Sequence, residues 1–366
     1  MLDAQKNKKE EESSGTVLVA GQGRLKHASS EHPPIRPAKI GILIANLGTP
    51  DATDYWSMRR YLKEFLSDRR VIDYPSFLWQ PILQLIILTK RPFSSGAAYR
   101  SIWNEDRNES PLLTIVRSQK EKLKDFLVDI YGEKIIVDFC MRYGNPSTMD
   151  VLNKMKEMGC EKIVFFPLYP QYAGPTTATA NDEVFRTLMK MNWQPALRTV
   201  PSYYDNEKYI SALASSVRYC FDSADKKPEH LVVSYHGVPE RYLMQGDPYH
   251  CHCQKTTRLL VENLGWSTDL VTTAFQSKFG PEKWIGPATV DLVAELAYQG
   301  KKRIAVIAPA FSADCVETLE EINEEIKESF IDAGGEEFTY IPCLNDQVEH
   351  IEALASIVKN ELSGWL

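Results

Sequence analysis

At 366 residues, with 43% hydrophobic and 25% charged positions, the chain is long enough for two domains with cores of their own and has the balance of a soluble globular protein. Its formal charge of −7 is the wrong sign for neutralising phosphates, which excludes a nucleic-acid partner and favours a small molecule or a metal ion. Seven cysteines, an odd number scattered along the chain, do not make a secreted disulfide framework, so reduced thiols and a cytoplasmic location are expected.

Residues 1–37 read as a disordered polar tail, with neither the apolar run of a signal peptide nor an Arg-rich organellar leader. Within it Gly21-Gln22-Gly23 lacks the third glycine and the preceding strand of a dinucleotide fingerprint. Short apolar runs then alternate with amphipathic stretches. In the first half the runs predict strands over Lys39–Leu47, Ile135–Tyr143, Lys162–Tyr169 and Ala196–Pro201, with helices over Thr53–Leu66, Pro111–Tyr131 and Ser147–Met158. Between them lies Val71–Thr89, apolar enough to approach membrane length but broken by Asp73, Pro75, Gln80, Pro81 and Gln84, so it does not span a bilayer. It is either a buried helix or an exposed apolar lip over a cleft. Twelve residues from Phe77 to Leu88 carry more apolar side chains than one buried helical stripe takes up, which favours exposure and singles out Leu85, Ile86 and Leu88.

The second half repeats the alternation. Helices are expected at Asp205–Phe221, Cys253–Leu264, Pro287–Tyr298, Val316–Ala333 and Asp346–Leu362, and strands at Leu231–His236, Leu270–Phe275, Arg303–Ala310 and Glu337–Cys343. The fold class is therefore α/β, with two Rossmann-like, doubly wound domains, each a four-stranded parallel sheet flanked by helices. The expected boundaries are 38–203, carrying the lip at 71–92, and 204–366, with the C-terminal helix packing back on the first domain.

Two strand-to-helix junctions carry the chemistry. GILIANLGTP and LVVSYHGVP both end a strand on Gly-x-Pro, at the carboxyl edge where open α/β sheets bind ligands. The second delivers His236 to that edge beside Gly237, and an imidazole there can accept a proton or coordinate a divalent metal. After the strand at 303–310, Glu317 occupies the corresponding position, followed by Glu321 and Glu325 at helical spacing and flanked by Asp314 and Glu324. His250-Cys251-His252-Cys253 is the other metal-like cluster, but its C-x-C spacing is tight and no second pair accompanies it, so no metal is expected there. No glycine-rich phosphate loop is present to support a nucleotide enzyme.

SYHGVPERY, GDPY, FQSKFGPEKWIGP and SADCVETLEEI, in this order, resemble the ferrochelatase family, and NLGTP, FCMRYGNP and FPLYPQY in the first half agree over roughly residues 38–362. The resemblance implies a bacterial-type enzyme, a lyase with two chelatase-like domains around a porphyrin cleft, that inserts Fe²⁺ into protoporphyrin IX to give protohaem with release of two protons. It implies His236 and Glu317 as the catalytic, metal-handling pair, and Asp314 and Glu321 as an acidic relay. Leu47, Arg91, Arg142, Tyr143, Tyr172, Gln276, Ser277 and Trp284 would line the porphyrin pocket, with Lys278 beside them. Fe²⁺ would be substrate, leaving no obligatory cofactor. Cys315 stands where animal members carry a histidine, and their cluster-binding extension has no counterpart, so no iron–sulfur cluster is expected. Which of His236 and Glu317 takes protons and which delivers iron stays open, as does oligomeric state. Other expectations are a peripheral contact of the lip with the inner face of a membrane and, as alternatives, a chelatase for coproporphyrin or cobalt, or a haem carrier.

Overall fold

The computed structural model describes residues 37–366, so the polar-tail expectation for the preceding residues lies outside the described residues. The first half contains β1 (Lys39–Thr49), α1 (Tyr55–Ser67), α2 (Ser76–Ile82), α3 (Leu88–Ser101), α4 (Pro111–Tyr131), β2 (Ile135–Gly144), α5 (Thr148–Glu157), β3 (Cys160–Pro167), α6 (Thr179–Met189) and β4 (Ala196–Thr199). The second contains α7 (Glu207–Ser223), β5 (His230–His236), α8 (Glu240–Met244), α9 (Tyr249–Leu264), β6 (Val271–Gln276), α10 (Thr289–Tyr298), β7 (Arg303–Ile307), α11 (Lys327–Asp332), β8 (Glu337–Ile341) and α12 (Val348–Glu361).

The strands form two four-stranded sheets in the orders β2-β1-β3-β4 and β6-β5-β7-β8, every pairing parallel. In both, the first strand of the half is central. That is why KIGILIANLGT and HLVVSYH read as continuous apolar runs: helices cover both faces, and Ile42 pairs with Val137 on one side and Val164 on the other. Each sheet reverses its winding beside that central strand, at the carboxyl ends of β1 with β3 and of β5 with β7. The crevice at such a reversal is the binding position of the architecture.

One apolar cluster runs through both halves, from Ile40 and Val116 to Leu231 and Leu354. Helix α12 lies against both α7 and α4, so the C-terminal helix contacts the first half. The polar contacts follow the same course: Gln119 donates to the carbonyls of Ser312 and Asn345 at 2.9 Å each, and Arg198 donates to the carbonyls of Glu361 and Ser363.

Helices α6 and α8 stand where no helix was expected, and two expected elements differ in form. The helix expected over Val316–Ala333 is π-helical from Glu317 to Ile326, with five-residue hydrogen bonding, and becomes α-helical only at Lys327. The lip is helical, with a π turn at Leu83–Ile87 between α2 and α3. Phe77 and Leu85 are 76% and 74% exposed while Leu83 and Leu88 are fully buried. The apolar excess therefore does project outward, but Leu88 belongs to the inner face. Among the described residues no helix is long and apolar enough to cross a membrane.

Candidate active site

Strand β5 carries His236 to the crevice half-buried. Its Nδ1 lies 2.7 Å from the Gly237 carbonyl oxygen and donates to it, so that in a neutral ring the lone pair sits on Nε2. Gly237 is required by close approach rather than by its own torsions. A Cβ there would sit 2.8 Å from the Gln276 carbonyl oxygen and 3.0 Å from the Trp284 ring. Trp284 thus leans on the backbone beside the histidine, and Phe279 packs on it with ring centroids 5.1 Å apart. The Trp284 indole N–H is buried with no acceptor among the described residues.

The opposing groups come from the π-helix. Gln276, at the tip of β6, donates through Nε2 to the Glu317 carbonyl at 2.7 Å and to Glu321 Oε2 at 3.2 Å, while its own oxygen accepts from Ser234 at 2.8 Å. Ser277 adds its N–H to Glu321 Oε1 at 2.7 Å and its hydroxyl to Oε2 at 2.6 Å. Ser277 does this with φ of 62°, a left-handed conformation that costs a serine some strain. Burial pushes the Glu321 carboxyl above its ordinary range; the Ser277 hydrogen bond and the neighbouring His236 oppose the rise, and Glu317 adds to it. Its neighbour Glu320 is pushed up to about 7, first by burial and then by Glu325, Glu324, Glu321 and Glu317. Glu317 also meets the first half. Burial foremost raises the hydroxyls of Tyr61 in α1 and Tyr99 in α3, followed by the Glu317 charge for Tyr61 and by Tyr61 and then Glu317 for Tyr99.

Asp314 is engaged differently from Glu317 and Glu321. It is buried, and its Oδ1 accepts from the Tyr340 hydroxyl at 2.5 Å, the Thr318 hydroxyl at 3.1 Å and the Cys343 N–H at 3.3 Å, while Oδ2 accepts from Asn345 at 2.6 Å. These donors tie the start of the π-helix to the loop after β8.

On the first-half side, Leu47, Tyr143 and Phe65 share an apolar cluster with Val316, the residue before Glu317. Tyr143 is fully buried, and its hydroxyl donates to Asp68 Oδ2 at 3.0 Å. The same oxygen takes the Thr179 hydroxyl at 2.5 Å and the Arg142 guanidinium. Burial alone would raise the Asp68 carboxyl, but hydrogen bonds led by Thr179 and the Arg142 charge hold it below the carboxylate range. Arg142 is therefore committed to an internal ion pair, and it borders a charged cavity of about 830 Å³ that also includes Lys63, Arg69, Arg70 and Arg186. That cavity does not include His236 or Glu317. Arg91, at the lip, lies over the Phe279 ring at 5.9 Å and so reaches across to the second half. Tyr172 is half-buried and is held from the second half through its backbone N–H.

Two groups stand out among the sequence-expected residues. His236, Gln276, Ser277, Glu317, Glu321 and Trp284 are gathered around one crevice by the contacts above, whereas Arg142 and Tyr143 turn inward to Asp68. Asp68, Thr179, Tyr61 and Tyr99 were not singled out by the sequence. Each is a common residue type on an ordinary helix or at its end, and only the fold brings it to the site.

The ferrochelatase family model matches residues 39–362. The ferrochelatase of Rhodobacter capsulatus is 63% identical over 343 residues, covering 93% of this chain and 98% of that protein. That of Agrobacterium fabrum is 53% identical over 337 residues, covering 92% and 97%. Among solved structures, SirB from Bacillus subtilis with Fe³⁺ superposes with a TM-score of 0.53 at 11% identity, over 89% of this chain and 97% of that one, a likeness of fold. The motifs, the paired sheets and these relatives agree: the chain belongs to the ferrochelatase family.

Proposed function

We propose that the chain inserts Fe²⁺ into protoporphyrin IX in the crevice between its two halves, yielding protohaem and two protons. Family membership supports the reaction. The observation that carries the site is the pairing of an imidazole with an open Nε2, on β5, with a crowded row of carboxylates on the π-helix.

Metallation requires two pyrrole N–H protons to leave while the hydrated cation exchanges water for ring nitrogens. In this reading His236 accepts the pyrrole protons at Nε2 one at a time, releasing the first to solvent before it takes the second, and Glu317 with Glu320 and Glu321 receives the cation. The carboxylates suit that role because burial and mutual repulsion, which raise Glu320 and Glu321, are relieved when a divalent cation arrives and protons leave. Gln276 and Ser277 hold Glu321 in position, so the cation meets carboxylates already aimed. Leu47 and Trp284 bound the macrocycle, and binding energy over its large face can bend the ring toward a geometry that exposes its nitrogens. No resident cofactor enters this scheme, since iron is consumed.

The lip completes the reading as an apolar flap over the porphyrin that also rests peripherally on a membrane. Its outward Phe77, Leu78, Leu85 and Ile86 support this, and Lys90 with Arg91 suits propionates or lipid phosphates. The test is metal insertion followed by the porphyrin Soret band under anaerobic conditions. His236→Ala is expected to abolish turnover in a folded protein, and Glu317→Gln to reduce it by ~10²-fold, the size of one lost proton-transfer or metal-handling step. Wild-type turnover in folded His236→Ala overturns the site.

A further inference from the structure

The segment that carries His250, Cys251, His252 and Cys253 has no part in the proposed chemistry, yet it reaches into the first half. Its four side chains diverge. Cys253 is buried in the core, Cys251 is exposed, and His250 stacks on Phe275 at 5.7 Å. Among the described residues no group of three or more His, Cys, Asp or Glu is placed to hold a metal.

His252 has a different partner. Its ring stacks on Tyr204 at 3.7 Å, with an interplanar angle of 13°, and its Nδ1 accepts the backbone N–H of Tyr172 at 3.2 Å. Two residues further along the same loop, the Gly174 N–H donates to Asp247 Oδ2 at 2.7 Å. Asp247 Oδ1 in turn accepts the Tyr249 N–H at 2.9 Å, which ties that carboxylate to the start of α9. Two acceptors of the second half therefore take two backbone donors of Tyr172-Ala173-Gly174, with Ala173 buried between them.

We infer that His252 and Asp247 are positioning residues, which hold the Tyr172 loop at the edge of the porphyrin cleft and, through His252, do so only while the imidazole is neutral. The inference rests on reading Tyr172 as part of the cleft wall. Accepting a backbone N–H requires a lone pair on Nδ1, so the ring proton sits on Nε2; a protonated ring would oppose N–H with N–H. Burial keeps the imidazole below its ordinary range, Asp205 and Asp247 pull it up, and Lys255 pushes it down. Lys255 is itself paired with Asp205 at 2.7 Å, and the aromatic faces of Tyr204 complete the surroundings. The direction follows. The clamp is intact above the depressed value and is released as pH falls through it, below the ordinary 6.5.

The experiment uses the full chain in the Soret assay with protoporphyrin IX and Fe²⁺, from about pH 5.5 to about pH 7.5 around the ordinary imidazole range. Three variants are compared. His252→Asn keeps an acceptor oxygen at the Nδ1 position but cannot titrate, His252→Phe keeps the stack on Tyr204 but accepts nothing, and Tyr172→Ala reports on the wall itself. His252→Phe is expected to raise the porphyrin KM by ~10-fold at neutral pH with kcat within ~2-fold, the effect of one lost hydrogen bond. In the wild type KM rises on the acid side, while in His252→Asn the KM stays low and rises less on the acid side than in the wild type. An unchanged KM in His252→Phe, with Tyr172→Ala impaired, overturns the clamp and leaves the wall standing. An unchanged KM in Tyr172→Ala overturns the wall, and the clamp with it. If His252→Phe does not fold, the profile of His252→Asn decides, and an acid rise as large as the wild type's overturns the neutral-imidazole requirement.

Discussion

The carboxyl edges of the two sheets share a strand order and differ in what they leave unsatisfied. At the first, Asp68 draws Arg142, Tyr143 and Thr179 onto one carboxylate oxygen, so the polar groups there saturate one another. At the second, Nε2 of His236 has no partner among the described residues, and burial together with the crowded glutamates of the π-helix raises Glu320 to about 7. Saturated groups give rigidity and open ones give reactivity. The same architecture, used twice, thus yields one wall that holds its shape and one whose groups are left free for the proton and cation exchange proposed above.

The largest expected effect separates the two walls. Asp68→Asn leaves the Arg142 charge buried without its main partner and is expected to cost about 3 kcal/mol of stability, measured by denaturant unfolding. Glu321→Gln removes a repelled charge instead, so stability is retained while turnover falls by ~10-fold or more. Equal stability losses in the two variants would erase the distinction.

A second contrast sits within the second half. His236 is half-buried with an open nitrogen, whereas His350 is wholly buried, its Nδ1 donates to the Asn345 carbonyl at 2.6 Å, and burial holds it down at about 4 against an ordinary 6.5. Between those values the unfolded chain binds the extra proton, so stability falls as pH drops from 6.5 toward 4, by up to about 3 kcal/mol. His350→Asn should flatten that acid slope in unfolding measured across pH, and an unchanged slope would remove His350 from the account.

The smallest effect concerns the lip. Leu85→Ser with Ile86→Ser is expected to weaken liposome binding and to raise the porphyrin KM several-fold, with unfolding unchanged, because both side chains face outward. Adding Leu88→Ser should then lower stability by about 3 kcal/mol, since that side chain is fully buried. Unfolding of the double variant would make the whole stretch core.

Much of this was legible in the sequence. Strands covered on both faces read as apolar runs, and a histidine at a strand tip beside glycine is visible without coordinates. Glu317 is visible too, as the acid at the matching junction. The Asp68 hub was not legible, because its partners Arg142 and Thr179 lie 74 and 111 residues away and nothing local marks the three as neighbours. Nor was the π-helix: its apolar residues suit an amphipathic α-helix equally well, and the grip of Gln276 and Asp314 on its first residues is a tertiary contact. In the lip, composition gave the excess of apolar surface but not which face Leu88 would take.

The position of α12 bears on how the molecule is made. Val348–Glu361 packs on α4, Arg198 grips the carbonyls of Glu361 and Ser363, and Trp365 lies 4.3 Å beneath the Arg198 guanidinium. A ribosome delivers the first sheet long before these residues, so α4 emerges with an apolar flank uncovered and Arg198 of β4 without its partners, and the earliest half is the last to be finished. Nascent chains arrested after about residue 340 should therefore stay protease-sensitive around α4 until the final helix has cleared the exit tunnel.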